Sequence, residues 1–150
     1  MEVYRLAKEP RSKSLTSSGT ASRWNLDGEQ VIYTGYSRSL ATLELLVRLH
    51  GIKPSTPYKI MNISVADEDD LISQVLIKDL PANWRSLSAY SKLQAIGSDW
   101  YRNDKSLVLK VPSAVVPAEH NYLINTKHPL FASKVNLVRT ENYFWDDRLF

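Results

Sequence analysis

The apolar positions along the chain keep two different periods. Val31-Ile32-Tyr33-Thr34 is a compact β-branched and aromatic run that predicts a strand. Tyr58–Val65 alternates loosely and predicts a second. Ser106–Val111, which Pro112 stops, Asn121–Asn125, Val135–Thr140 and Tyr143–Trp145 predict the others. Between these runs the period lengthens. Ser37 is placed to cap a helix reaching about His50, where Gly51 supplies the stop. Leu87, Tyr90, Leu93, Gln94 and Ile96 recur near 3.6 residues and predict a helix over Ser86–Trp100, with Gly97 late in the pattern. A short helical piece is expected within Asp67–Leu80, ended by Pro81. The small polar run from Ser14 to Ser22 reads as a loop, and Asp27-Gly28 as a turn.

Strands and helices interleave without the regular spacing of βαβ units. The pattern therefore predicts a mixed α/β (α+β) fold, with residues 1–150 forming one domain. The first helix is unusual in its distribution. Placing residues 100° apart puts Leu40, Leu43, Leu46 and Val47 on one arc, with Leu45 and Leu49 on another. A helix apolar over most of its circumference is expected to be buried on more than one side.

Composition narrows the class. The chain has 150 residues, 43% of them apolar and 23% charged, with 5 Gly and 7 Pro, which is ordinary globular usage. No run approaches the roughly 18 apolar residues of a membrane span, and the first residues lack a signal-peptide pattern. Absence of cysteine removes disulfides, thiolate metal sites and a cysteine nucleophile. A cytoplasmic protein is the expectation. Net charge is only +3. The locally basic stretch (Arg5, Lys8, Arg11, Lys13) and the acidic run Asp67–Asp70 read as solvated surface.

Candidate chemistry is sparse. Glu44 lies beside Leu40 at the edge of the apolar arc, where a carboxylate is costly to desolvate unless it is paired or functional. Arg48, four residues on, offers a helix salt bridge, so both readings stay open. Arg23 follows a loop of small residues, the setting in which backbone amides and an arginine fork hold phosphate oxygens; its alternative is a surface arginine stacked on Trp24. Tyr33 is either a half-buried strand aromatic or a ligand contact. Ser113, between Pro112 and Ala114, is otherwise a turn residue. His50, His120 and His128 show no metal spacing, so no metal site is expected. A GxSxG elbow is also missing.

Taken in order, several segments carry a resemblance. They are Tyr4-Arg5, Ser22-Arg23-Trp24-Asn25, Gly28, Val31–Thr34, Leu40-Ala41-Thr42-Leu43-Glu44, Ile96–Trp100, Val111–Pro117, Asn121–Asn125, His128-Pro129 and Phe144–Leu149. The chain resembles the RES-domain toxins of bacterial RES–Xre toxin–antitoxin pairs, over nearly its whole length. The Arg, Glu and Ser of that family name match Arg23, Glu44 and Ser113. The resemblance implies a sheet like that of ADP-ribosyltransferases, NAD+ as substrate with no further cofactor, and an Xre-type antitoxin as partner. It further implies cleavage of the nicotinamide–ribose bond by hydrolysis or phosphorolysis, or ADP-ribose transfer to a protein. Glu44, Arg23 and Tyr33 would be catalytic, with Arg23, Tyr33 and Ser113 binding substrate; Asn121 and Asn125 fall in a family segment without an assigned role. Relatives in the family carry a longer, glycine-richer loop before the arginine than Ser18-Gly19-Thr20-Ala21-Ser22. A non-catalytic interaction or nucleic-acid-binding module is the reading from another class; such a binder would lose affinity steeply with salt.

Overall fold

The computed structural model describes residues 1–150. Seven strands form one mixed sheet: β1 (Glu2–Lys8), β2 (Val31–Gly35), β3 (Tyr58–Val65), β4 (Ile72–Gln74), β5 (Val108–Pro112), β6 (His120–Asn125) and β7 (Val135–Asn142). Their spatial order is β4-β5-β6-β2-β1-β3-β7. Every pairing is antiparallel except β4 with β5. Three helices complete the fold, α1 (Arg38–Leu49), α2 (Tyr90–Arg102) and the single turn α3 (Phe131–Lys134). None is long and apolar enough to cross a membrane. The mixed α/β architecture is the one the sequence pattern predicts.

Alternation along the central strands builds a core on each face of the sheet. Ile32, Val108 and Ile124 belong to one buried cluster; their neighbours Val31, Leu109 and Leu123 belong to the other. Successive strand residues point to opposite faces, so strands covered on both sides read as nearly continuous apolar runs. The second cluster is closed by α2 through Leu93 and Trp100, together with Trp24 and Trp84. Gly97 explains how α2 sits so close: a Cβ there would lie 1.7 Å from the Trp24 carbonyl oxygen. Any side chain at 97 would push the helix away from the Arg23-Trp24-Asn25 segment.

The middle of the sheet is where it is weakest. β1 and β3 pair over seven positions, from Glu2 with Ser64 to Lys8 with Tyr58, whereas β1 and β2 share only Tyr4 with Gly35. The two halves of the sheet are thus joined by a short seam, and α1 packs against both strands that flank it.

Several expectations need correction. β1 is a full strand where the pattern predicted none, with Val3 and Ala7 buried. Within Asp67–Leu80 the chain forms two 3₁₀ turns, Asp69–Leu71 and Ile77–Asp79, around β4. Tyr143–Trp145 is not a strand. After Tyr143 donates its amide hydrogen to the Tyr58 carbonyl, the chain turns away, and Trp145 packs edge-on against Tyr58, Tyr143 and Phe150. Ser37 does cap α1, its hydroxyl accepting from the Leu40 amide at 3.0 Å. The helix ends at Leu49, and His50 and Gly51 are both left-handed. But α1 is buried on one side only. Leu40 and Ala41 are its buried residues, while Leu43 and Val47 are 39% and 50% exposed. Leu45 of the second apolar arc does not enter a core but lines a cleft, as does Val47 of the first.

Candidate active site

A cleft of about 780 Å³ runs along the seam. Its walls come from β1 and β2, the inner face of α1, the loop before Arg23, and the end of β5. Glu44, in the middle of α1, is its only carboxylate, against the guanidinium groups of Arg5, Arg11, Arg23 and Arg48. No group of three or more His, Asp or Glu side chains is gathered as a metal site would require.

Glu44 is held by neutral donors. Its Oε1 accepts from Ser113 Oγ at 2.8 Å and from Asn121 Nδ2 at 2.5 Å. The direction of the serine bond follows from valence. Ser113 Oγ, fully buried, accepts from the amides of Val115 (3.1 Å) and Val116 (3.0 Å), so its single proton is left for Glu44. Both donors fall on one oxygen, and Oε2 has no hydrogen-bond partner in the protein. The salt bridge with Arg48 is not formed; Arg48 sits over the Tyr33 ring, 5.9 Å from its centroid. Ser113 is therefore more than a turn residue, and Asn121 gains a definite contact: β5 and β6 bring both to α1.

Tyr33 is fixed from β2. Its hydroxyl donates to Asn25 Oδ1 at 2.7 Å and accepts from the Trp24 amide at 3.1 Å. Burial, opposed in part by the Trp24 amide that donates to the phenol oxygen, pushes the phenol up to about 12. It stays protonated at neutral pH. Buried Asn25 in turn donates to the carbonyls of Thr20 and Leu26, both at 3.0 Å, tying the loop before Arg23 to the ring. Asn125 lies elsewhere, buried and bonded to Tyr101 and Asp104.

Arg23 does not stack on Trp24, whose ring is in the core. Its guanidinium lies over Tyr90, 4.7 Å from the centroid, and Nη1 donates to the carbonyls of Trp84 and Arg85, each at 3.0 Å. Part of the fork is thereby committed to the backbone, while the residue still lines the cleft. Arg5 and Arg11 correct the reading of the N-terminal basic stretch as solvated surface. Both line the cleft. The missed signal was Arg5 at period two between Val3 and Ala7, on what proves to be a strand.

Fold and cleft together define a class: a mixed α/β protein that sets one carboxylate, oriented by neutral donors, among unpaired arginines. The chain belongs to the RES domain family, whose model matches residues 2–146. It is 35% identical over 127 residues to a Yersinia enterocolitica protein named Toxin Res, covering 85% of this chain and 82% of that one. A Sphingobium protein named Prs ADP-ribosylating toxin is 32% identical over 154 residues, covering 97% and 94%. Among solved structures, one from the Mycobacterium tuberculosis MbcT–MbcA toxin–antitoxin complex superposes with a TM-score of 0.74. It covers 95% of this chain and 83% of its own, at 16% identity, and so speaks for the fold.

Proposed function

We propose that this protein is a toxin that consumes NAD+ by breaking the nicotinamide–ribose bond, and that an Xre-type antitoxin restrains it. The observation that carries this reading is Glu44, whose Oε2 has no protein partner in a cleft whose other charged side chains are arginines. The relatives named as toxins and the toxin–antitoxin complex of similar fold support the biological role.

The chemistry fits the groups present. The C–N bond breaks with its electron pair going to nicotinamide, which leaves as a neutral pyridine and needs no general acid. What needs help is the positive charge that develops at the ribose carbon, as in glycoside cleavage. A preorganised carboxylate stabilises it, and Ser113 and Asn121 keep that carboxylate fixed as charge develops. Water, releasing a proton to solvent, or phosphate then adds to the ribose carbon, with Glu44 orienting the attacking group. Arg23 holds the diphosphate, and Tyr33 packs against the nicotinamide ribose. The Sphingobium relative's name favours a second reading, transfer of ADP-ribose to a protein.

Incubating purified protein with NAD+, alone, with inorganic phosphate and with cell lysate, separates these. Free nicotinamide is expected without any nucleic acid present, and the fate of ADP-ribose identifies the acceptor. No nicotinamide under any of the three conditions overturns the proposal.

A further inference from the structure

Beside the main cleft, and sharing part of its wall, lies a second pocket of about 360 Å³ with no hydrophobic residue in its lining. It is formed by Arg5, Arg11, Thr16, Ser17, Ser18 and Thr20; four of the six, Arg5, Arg11, Ser18 and Thr20, also face the cleft. Two guanidinium groups meet four hydroxyls here, and no carboxylate is among them.

Four of the five arginines outside the two pockets are treated differently. Arg38, Arg102, Arg139 and Arg148 each pair with a carboxylate. Arg5 has only the Thr16 carbonyl, which accepts from its Nη1 at 2.7 Å, and Arg11 has no hydrogen-bond partner. Burial and the neighbouring charges of Arg11 and Arg48 lower the pKa of Arg5. Like charges gathered without a counter-charge are unfavourable until an anion joins them. The hydroxyls add direction. Ser17 Oγ gives its proton to Gln30 at 2.7 Å, whereas Ser18 Oγ accepts from the Thr20 amide at 3.2 Å and keeps its proton free.

We propose that this pocket is a separate phosphoryl-binding subsite, in which Arg5 and Arg11 take the oxygens of a terminal phosphate and Ser18 donates to it. Neither Glu44, Ser113 nor Asn121 lines the pocket, so the phosphate it takes is not the group that attacks the ribose carbon. Two sources have this chemistry: a phosphate substituent on the dinucleotide away from the nicotinamide, such as the 2′-phosphate of NADP+, or free inorganic phosphate. The subsite stands independently of NAD+ consumption; only the first source rests on that reading.

The test uses the full chain and Arg11→Gln, at an exposed residue whose loss leaves the core intact. Inorganic phosphate titrated into the purified protein by calorimetry should bind, and Arg11→Gln should weaken it about tenfold or more with an unchanged melting temperature. Ser18→Ala should weaken it less. The kinetic arm then identifies the source. A rise in KM for NADP+ but not for NAD+ in Arg11→Gln assigns the dinucleotide substituent. An effect of added phosphate on NAD+ turnover that Arg11→Gln abolishes assigns free phosphate. If the variants leave phosphate binding and the NADP+/NAD+ ratio unchanged, the subsite is refuted. If neither nucleotide is consumed, the proposed activity fails while the calorimetry still decides the pocket.

Discussion

Glu29 and Glu44 are both drawn in from solvent, and their surroundings differ in kind. Glu29 is 5% exposed and bonded at both oxygens. One oxygen accepts from Ser98 Oγ at 2.5 Å and from Arg102 Nε at 3.2 Å, the other from the Leu26 amide at 2.8 Å. A carboxylate bonded at both oxygens, by a cation, a hydroxyl and a backbone amide, joins α2 to the turn before β2. Glu44 has no cation. Ser113 and Asn121 fix one oxygen and leave the other towards an arginine-lined cleft. Satisfaction of both oxygens marks a structural carboxylate, and half-satisfaction beside a cavity marks one with work to do.

The sharpest way to break this contrast is to neutralise each charge in turn. Glu44→Gln keeps an acceptor at Oε1 for Ser113 and Asn121, so the helix and its contacts should survive. What is removed is the negative charge. NAD+ turnover should fall on the order of 10²–10³ in kcat, as for loss of one preorganised electrostatic group, with KM changing less. The melting temperature should hold or rise slightly. A folded variant with near-parental turnover would return Glu44 to a structural role.

Glu29→Ala should do the reverse. It strands the Leu26 amide, Arg102 and the hydroxyl of buried Ser98. The expected loss is about 2–4 kcal/mol of stability, read by denaturant unfolding, with turnover per folded molecule close to the parent. Equal stability in parent and variant would remove the distinction drawn from the bonding of both oxygens.

Ser113→Ala tests the clamp and falls between the two. It frees Glu44 to rotate and leaves the amides of Val115 and Val116 without their acceptor. About a tenfold loss in kcat is expected, smaller than for Glu44→Gln, since Asn121 still holds Oε1. Stability should drop by about 1–2 kcal/mol. A kcat loss as large as that of Glu44→Gln would mean that the serine itself touches substrate.

How much of this was readable in the sequence depends on the range over which each feature is decided. Ser37, Leu40 and the run Val31–Thr34 are local, and the cap and strand they predict are present. Two misreadings concern faces. Leu43 and Val47 lie at ideal helical spacing, but spacing says which residues share a side and not whether that side meets a core, a cleft or solvent. In β1, Val3 and Ala7 with Arg5 between them made a weak strand pattern because the cleft requires an arginine on that strand. The clamp on Glu44 was beyond local reading. Its donors come from 69 and 77 positions away and are brought together only when β5 and β6 join the sheet. The resemblance paired Glu44 with Ser113 as family residues, and the structure gives that pairing its hydrogen bond.

The smallest effect concerns Tyr33, where the contrast turns on a neutral group. Tyr33→Phe removes the donor to Asn25 and the acceptor of the Trp24 amide while keeping the ring in the cleft wall. A loss of about 1–2 kcal/mol is expected near neutral pH, with a modest rise in KM as the Arg23 segment loosens. Alkaline unfolding makes the reading specific. Burial raises the phenol from 10.0 to about 12 in the folded protein. The unfolded chain therefore gives up this proton first, binds fewer protons over the interval, and stability falls as pH rises. Tyr33's contribution is complete below pH 10 and is lost as pH climbs through about 12. Lysines and the other tyrosines titrate in both proteins, so the difference between parent and Tyr33→Phe isolates the one group. The stability gap between them should narrow across that window. A gap constant from pH about 9 to about 12 would show the Tyr33 hydroxyl to be solvated in the native protein, and the tether from Asn25 to the cleft wall would lose its support.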